Sequence, residues 1–288
     1  MSRTTRHPYG LPDRLASLDR TLVMGILNVT PDSFSDGGSY LDPGAAVEHG
    51  LVMCEEGADI VDVGGESTRP GAGRVGVDDE LSRVVPVVRA LSGAGVVVSI
   101  DTMHAEVAAA AIDAGASIVN DVSGGLADAD MAGVLAASAR PYVAMHWRGH
   151  SADMASRAVY ADVVSEVVSE LGARLDELTA AGVRLEQIVL DPGIGFAKDA
   201  GHNWSLLAHL DDLEGLGRPL LVGASRKSFL GPLLADADGA PRPAEERDAA
   251  TAAVSALVSA QDVWAVRVHA VRPTVDAVRV VAALASAR

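Results

Sequence analysis

The chain has 288 residues, of which 49% are hydrophobic and 3% aromatic, and its formal net charge is −16. This length accommodates one large α/β domain or two smaller domains. The acidity argues against a nucleic-acid-binding protein, which needs a basic surface to neutralise phosphates. The first 20 residues lack the apolar segment of a signal peptide, and no apolar run approaches the ~20 residues of a membrane span. We therefore expect a soluble, cytoplasmic protein without a membrane partner.

Eight short apolar runs, most of them bordered by Gly or Pro, predict β-strands. In chain order, these runs are Thr21–Val29, Ala58–Val63, Val96–Ile100, Ser117–Val122, Pro141–Met145, Gln187–Leu190, Pro219–Val222 and Val263–Val268. Helical patterns separate them, and the segment 162–181 repeats Val163, Val167 and Leu171 on one face. Alternation of strand and helix implies a parallel sheet. Eight such units in this length favour a single-domain (β/α)8 TIM barrel over a doubly wound sheet.

The composition does not break at any point that would mark a second domain. We expect residues 21–288 to form the barrel and residues 1–20 to form an N-terminal extension.

Polar residues stand where several of the apolar runs end. They are Asn28, Asp101, Asn120, Asp121, Asp191, Arg267 and His269. The carboxyl ends of the strands meet at one rim of a parallel barrel, and active sites of this fold lie there. An Asp and an Asn at that rim could bind the donor and acceptor edge of a flat heterocycle. The alternative for Asp101 is that it caps the following helix with the help of Thr102.

Two long segments follow the first and second strands and are candidates for functional loops. Residues 28–38 include Phe34, and residues 64–74 are rich in glycine. Residues 71–76 match the pattern G-x-G-x-x-G, but Pro70 and the residues before it separate these glycines from the strand end. A dinucleotide site needs them in the strand-to-helix turn, so we reject that interpretation.

The last two strands supply cations and hydroxyl groups. Lys227 and Ser228 follow the seventh strand, and Arg267 and His269 lie two residues apart on the eighth, so their side chains point the same way. Barrels often bind phosphate after these strands, which predicts an anion site; the alternative is a solvated rim of salt bridges. The three phenylalanines, Phe34, Phe196 and Phe229, all fall in segments near this rim, which favours a flat aromatic ligand. His146, after the fifth strand, is interpreted as a hydrogen-bonded residue at the core edge.

Taken together, these segments resemble the dihydropteroate synthases, the folate-pathway enzymes that sulfonamides inhibit. The matching motifs, in order, are GILNVTPDSFSDGG (25–38), DVGGESTRPGA (62–72), IDT (100–102), VNDVSGG (119–125), DPGIGF (191–196), GASRKSFLG (223–231) and RVH (267–269). The resemblance implies a (β/α)8 barrel, usually homodimeric, that joins 6-hydroxymethyl-7,8-dihydropterin diphosphate to p-aminobenzoate and releases pyrophosphate.

By position, the resemblance also implies residue roles. Catalysis would fall to Asp101, Lys227, Arg267 and His269. The pterin and its diphosphate would contact Thr68, Asp101, Asn120, Met145, Asp191, Gly223, Lys227, Arg267 and His269. The p-aminobenzoate pocket would comprise Phe34, Thr68, Arg69, Pro70, Phe196, Lys227 and Ser228, and Mg²⁺ would bind at Asn28. A carboxylate beneath the ring, Asp101, would stabilise the cation that forms when the C–O bond breaks.

Two alternative functions remain open at this stage. A methyltetrahydrofolate-dependent methyltransferase would share the Asp and Asn pterin contacts and would need a corrinoid partner. It would not need the anion site around Lys227, Arg267 and His269. A non-catalytic paralogue would bind the pterin alone, and the complete loop motifs argue against it.

Overall fold

The computed structural model describes residues 7–30, 43–66, 75–149 and 154–287. Its eight parallel strands are β1 (Leu22–Asn28), β2 (Ile60–Gly64), β3 (Val98–Asp101), β4 (Ile118–Asp121), β5 (Tyr142–Met145), β6 (Ile188–Asp191), β7 (Leu221–Val222) and β8 (Ala265–Val268). They lie in the order β6-β5-β4-β3-β2-β1-β8-β7. A parallel bridge between Leu190 and Leu220 joins β6 to the start of β7 and closes the ring. The predicted TIM barrel is confirmed.

Helices surround the barrel. They are α1 (Asp13–Ala16), α2 (Pro43–Glu55), α3 (Val77–Gly93), α4 (Ala105–Asp113), α5 (Met131–Ser138), α6 (Val163–Ala180), α7 (Ala200–Ala208), α8 (Leu210–Glu214), α9 (Leu230–Leu233), α10 (Asp248–Ser259) and α11 (Val271–Ser286). Single 3₁₀ turns occur at Met154–Arg157, Leu185–Gln187 and Ala244–Glu246. The helix expected over residues 162–181 is α6, and the Asp162 carboxylate caps it by accepting the backbone N–H groups of Val164 and Ser165. In the described ranges, no helix combines the length and the apolar character that crossing a bilayer requires.

The strands are apolar because both of their faces are covered. Outward-facing residues such as Val61 and Val63 pack under the helices in the main core cluster. Apolar residues at the amino ends of the strands, including Ile60 and Trp264, form a second cluster inside the barrel. Leu11 and Leu15 of the N-terminal segment also belong to this cluster. This segment therefore contributes to the seal across the amino end of the barrel.

Inward positions change from apolar to charged along strands such as β2 and β8. Because side chains alternate between the two faces, Ile60 is followed on the inward face of β2 by Asp62, and Ala265 on β8 by Arg267 and His269. The last inward position of each strand is therefore the one that faces the carboxyl-terminal rim. This alternation is what gathers polar side chains from distant parts of the sequence into one place.

Candidate active site

A cavity of about 370 Å³ opens at the carboxyl-terminal end of the barrel. Ten of the residues predicted to form the site line it: Asn28, Asn120, Met145, Asp191, Phe196, Gly223, Lys227, Ser228, Arg267 and His269. Asp101 lies beside them, bound to Arg267. The other predicted residues, Phe34, Thr68, Arg69 and Pro70, lie outside the described residues. The structure therefore brings together every predicted site residue that it describes.

Arg267 lies between two buried carboxylates. Its Nε donates to Asp62 Oδ2 at 2.6 Å and its Nη2 to Asp101 Oδ2 at 2.5 Å. Burial raises the pKa of Asp101 to about 7; Arg267 opposes this rise, and the negative charge of Asp62 adds to it. Burial disfavours the charged guanidinium, but the neighbouring carboxylates raise the pKa of Arg267 above its usual value. The charge of Asp101 is thus balanced mainly by this one cation.

The alternative role of Asp101 as a helix cap is wrong. The backbone N–H of Ala105, the first residue of α4, donates to Asp128 Oδ2 at 2.8 Å. Thr102 does take part, because its Oγ1 accepts the N–H of His104 at 3.1 Å. Asp101 is therefore available for the chemistry of the cavity.

Sequence analysis missed Asp62. This fully buried residue accepts from Arg267 and also from Asn120 Nδ2, at 2.9 Å. It thereby orients a cation and an amide that both line the cavity. The signal was present in the sequence, because Asp62 is the one charged residue in the apolar strand Ile60–Gly64 and points into the barrel.

Asp191 and Lys227 both line the cavity and influence each other electrostatically. The backbone N–H of Gly193 donates to Asp191 Oδ1 at 2.7 Å, and Lys227 Nζ lies 3.7 Å from the centre of the Phe196 ring. Burial raises the pKa of Asp191, and burial together with Arg267 lowers the pKa of Lys227 to about 8. Gly195 has a φ of +78°, and a Cβ there would stand 2.7 Å from Lys227 Cδ, so the lysine needs glycine at this position.

Ser225 fixes the orientation of His269. Its Oγ accepts the backbone N–H of His269 at 3.1 Å and lies 2.9 Å from His269 Nδ1. The two contacts together restrict rotation of the imidazole ring. Ser225 also lines the cavity, so it both positions the imidazole and supplies a polar surface.

Arg226 borders the cavity, and its guanidinium has a structural role. It adopts a φ of +58° and donates two hydrogen bonds to Asp248, at 2.7 and 2.8 Å. Arg247 Nη1 donates to the carbonyl oxygens of Arg226 and Lys227 at 2.9 and 3.3 Å. These contacts hold the turn that presents Lys227 to the cavity.

The expectation that all three phenylalanines lie at the rim is wrong for Phe229. That side chain is 4% exposed and meets the Trp204 ring edge-on, with 4.9 Å between ring centres. Phe229 belongs to the main core cluster, where its ring packs against Trp204 of α7. Phe196 does line the cavity.

The interpretation of His146 as a hydrogen-bonded residue at the core edge is confirmed. Burial lowers its pKa to about 4, so the ring is neutral. Its Nε2 donates to Glu170 at 2.9 Å and its Nδ1 accepts from Lys198 Nζ at 3.0 Å. Lys198 Nζ also donates to the carbonyl oxygen of Phe196 at 3.1 Å. This buried chain of contacts anchors the segment 191–196 to β5.

Comparison with known proteins agrees with this geometry. The model of a family described as "Pterin binding enzyme" matches residues 24–269. The dihydropteroate synthase of Mycobacterium leprae (strain TN) is 57% identical to this chain over 268 residues, which is 93% of this chain and 94% of the relative. This chain is a member of the dihydropteroate synthase family of pterin-binding enzymes.

Solved structures of the family have the same fold. The dihydropteroate synthase of Xanthomonas albilineans with 4-aminobenzoic acid superposes with a TM-score of 0.85 at 43% identity, covering 93% of this chain and 94% of the other. The dihydropteroate synthase of Yersinia pestis in complex with a sulfonamide drug gives a TM-score of 0.86 at 39% identity, covering 94% and 96%. The family match therefore extends over the whole barrel.

Proposed function

We propose that this chain condenses 6-hydroxymethyl-7,8-dihydropterin diphosphate with p-aminobenzoate to give 7,8-dihydropteroate and pyrophosphate, as a dihydropteroate synthase of folate biosynthesis. The observation that carries this proposal is the cavity in which Asn120 and Asp191 lie beside Lys227, Arg267 and His269. A heterocycle with several N–H groups and a diphosphate needs acceptors and cations together, and this site supplies both. Met145 and Gly223 line the same cavity and would contact the faces of the pterin.

The carboxylate of Asp191 and the amide of Asn120 would bind the hydrogen-bonding edge of the pterin. Asp191 Oδ1 already accepts from Gly193, which fixes the carboxylate and leaves Oδ2 for a ligand N–H. Asp62 holds the Asn120 Nδ2 group, so the amide would present its oxygen. Lys227 would donate to a ring acceptor; its low pKa reflects burial and would rise when an anionic substrate enters.

The diphosphate would lie against Arg267, His269 and Asn28. Asn28 offers an amide oxygen, the ligand type that Mg²⁺ prefers, and Mg²⁺ commonly takes its remaining ligands from water and substrate phosphates. The residues present therefore fit an ion that arrives with the diphosphate. When bound there, Mg²⁺ would offset negative charge on the leaving pyrophosphate.

Asp101 and Arg267 would contribute electrostatics to bond cleavage. Breaking the C–O bond at the pterin methylene leaves a cation delocalised over the ring, and a buried, ionised Asp101 stabilises that charge as it develops. Arg267 would move part of its interaction from Asp101 to the diphosphate. The amine of p-aminobenzoate is already nucleophilic, so no dedicated base is required.

Phe196, Lys227 and Ser228 are the described residues that we assign to the p-aminobenzoate pocket. All three line the cavity, and the cation over the Phe196 ring would attract the carboxylate of this substrate. We assign Phe34, Thr68, Arg69 and Pro70 to the same pocket from the family motifs, with Thr68 also contacting the pterin.

We further propose a cytoplasmic homodimer. Support for the dimer comes from apolar side chains exposed on the neighbouring helices α10 and α11, where Leu257 is 68%, Val280 60% and Leu284 62% exposed. Sedimentation velocity of the purified chain tests this assembly, and a monomer at micromolar concentration would contradict it.

The test of the reaction is an assay of the purified chain with the pterin diphosphate, p-aminobenzoate and Mg²⁺. We expect pyrophosphate release and dihydropteroate formation that require both substrates and stop with a sulfonamide. The Lys227→Ala variant should remain folded and lose about 100-fold in kcat/KM. Tight pterin binding without dihydropteroate formation would instead support a non-catalytic paralogue. Transfer of a methyl group from methyltetrahydrofolate to a corrinoid protein would support a methyltransferase.

A further inference from the structure

We infer that the chain has a second cation site, separate from the substrate cavity, formed by Glu66, Glu80 and His104 and suited to a divalent transition-metal ion such as Zn²⁺. One carboxylate oxygen from each glutamate and one imidazole nitrogen lie within 4.8 Å of one another. Each comes from a different element: Glu66 follows β2, Glu80 is in the first turn of α3, and His104 precedes α4. None of the three is among the residues that line the substrate cavity.

Glu80 carries the argument because its carboxylate is buried and only partly satisfied. The residue is fully buried, and Oε2 lies 2.7 Å from His104 Nδ1. In the described part of the chain, the equally buried Oε1 has no hydrogen-bond partner. A buried anionic oxygen without a donor is costly. A cation held between Glu66 and Glu80 would supply the missing interaction.

The local backbone makes room for this carboxylate. A Cβ at position 65 would stand 2.9 Å from Glu80 Cγ and 2.8 Å from Val84 Cγ1. Gly65 therefore allows the Glu80 side chain to lie against the end of β2, next to Glu66. Arg83, one turn further along α3, directs its Nη1 to the Gly65 carbonyl oxygen at 2.9 Å. The Arg83 guanidinium is thus engaged by a backbone carbonyl oxygen.

The donor set favours a transition metal over Mg²⁺. Two carboxylates and one imidazole leave room for water and suit Zn²⁺, Co²⁺ or Mn²⁺, whereas Mg²⁺ prefers oxygen ligands alone. The site also lies close enough to Asp101 for the Glu80 charge to contribute to the raised pKa of Asp101. A cation at Glu80 would reduce that contribution, and the site would therefore communicate with the substrate cavity through charge.

Metal binding can be measured without any turnover. The full chain, stripped with a chelator and free of Mg²⁺ and substrates, is titrated with Co²⁺ and followed by visible absorption, and Zn²⁺ binding is measured by equilibrium dialysis. We expect one equivalent of either metal and a Zn²⁺-dependent rise in melting temperature, because a ligand bound only by the folded state stabilises it.

Three ligand variants and one control distinguish this site from other metal-binding groups. His104→Gln, Glu80→Gln and Glu66→Gln should each weaken binding at least 100-fold, since even partners of metal ligands cost ~10–100-fold when changed. His49→Gln, which removes an exposed imidazole on α2, should bind like the parent chain. The inference is overturned if the parent chain binds no stoichiometric Co²⁺ or Zn²⁺, or if His104→Gln and Glu66→Gln bind as tightly as His49→Gln. Those two variants decide the question even if Glu80→Gln fails to fold.

Discussion

The two ends of the barrel are built from the same strands but have different roles, one in stability and the other in substrate binding and catalysis. At the amino end, inward residues such as Ile60 and Trp264 form an apolar seal completed by Leu11 and Leu15. At the carboxyl end, inward positions are held by charged residues such as Asp62 and Arg267, and Arg267 pairs with buried carboxylates instead of packing in a core. Stability is thus concentrated at one end of each strand and chemistry at the other, as is usual for this fold.

The difference has an energetic consequence. Burying an apolar side chain contributes to stability, whereas burying ion pairs such as Arg267–Asp101 contributes little or costs free energy. The raised pKa of Asp101 and the lowered pKa of Lys227 are signs of that cost. Variants at the two ends should therefore separate activity from stability.

The largest effect is expected from Asp101→Asn. The change keeps the shape of the side chain and removes the charge that stabilises the developing cation, so kcat should fall about 10²–10³-fold while the circular dichroism spectrum stays unchanged. Asp113→Asn, an exposed position at the end of α4, is the matched control and should retain the parent kcat. A well-folded Asp101→Asn enzyme with parent-like turnover would refute the role of this carboxylate.

The converse change at the amino end is Ile60→Ala. It removes a fully buried side chain from the apolar seal, so the free energy of unfolding should drop by about 2–5 kcal/mol. At temperatures where the variant is folded, kcat should stay within about twofold of the parent, because the seal does not touch the cavity. Urea unfolding measures the loss, and Val159→Ala, at a site 75% exposed, should change stability by less than about 0.5 kcal/mol. A large loss of kcat in folded Ile60→Ala would show that the two ends are not independent.

The pH dependence of kcat/KM should show whether the reaction at the carboxyl end needs the charge of Asp101. Asp101 is protonated below its pKa of about 7 and then lacks the charge that the reaction needs. We expect kcat/KM to decline up to about tenfold per pH unit on the acid side of that value and to level off above it. The residual activity of Asp101→Asn should not have this midpoint; an unchanged midpoint would assign the titration to another group, such as Asp191.

The smallest effect should come from Lys198→Met, which removes the ammonium that joins His146 to the Phe196 carbonyl oxygen. Lys198 is a positioning residue, so the KM for the pterin diphosphate should rise about five- to tenfold, equivalent to ~1 kcal/mol, with kcat nearly unchanged. Steady-state kinetics with each substrate separates the two constants. Lys198→Arg keeps a donor and should recover part of the affinity, whereas a fall in kcat alone would contradict the positioning role.

The sequence by itself determined the order of the strands, their burial and the polar residues at their ends. Hydrophobic runs and alternating side chains are local properties, and they sufficed to predict the barrel and to assign Asn120, Asp191 and Lys227 to one rim. The family motifs supplied the substrates. Neither source required knowledge of which side chains touch.

Only the tertiary structure decided the pairings between residues that are distant in sequence. Asp62 and Arg267 lie 205 residues apart, and no periodicity links them. The same holds for Glu80 with His104 and for His146 with Lys198. Phe229 was misplaced for a related reason, since its burial depends on Trp204 of another helix. Such contacts arise when strands and helices from separate units close around one barrel, and a local pattern carries no information about them.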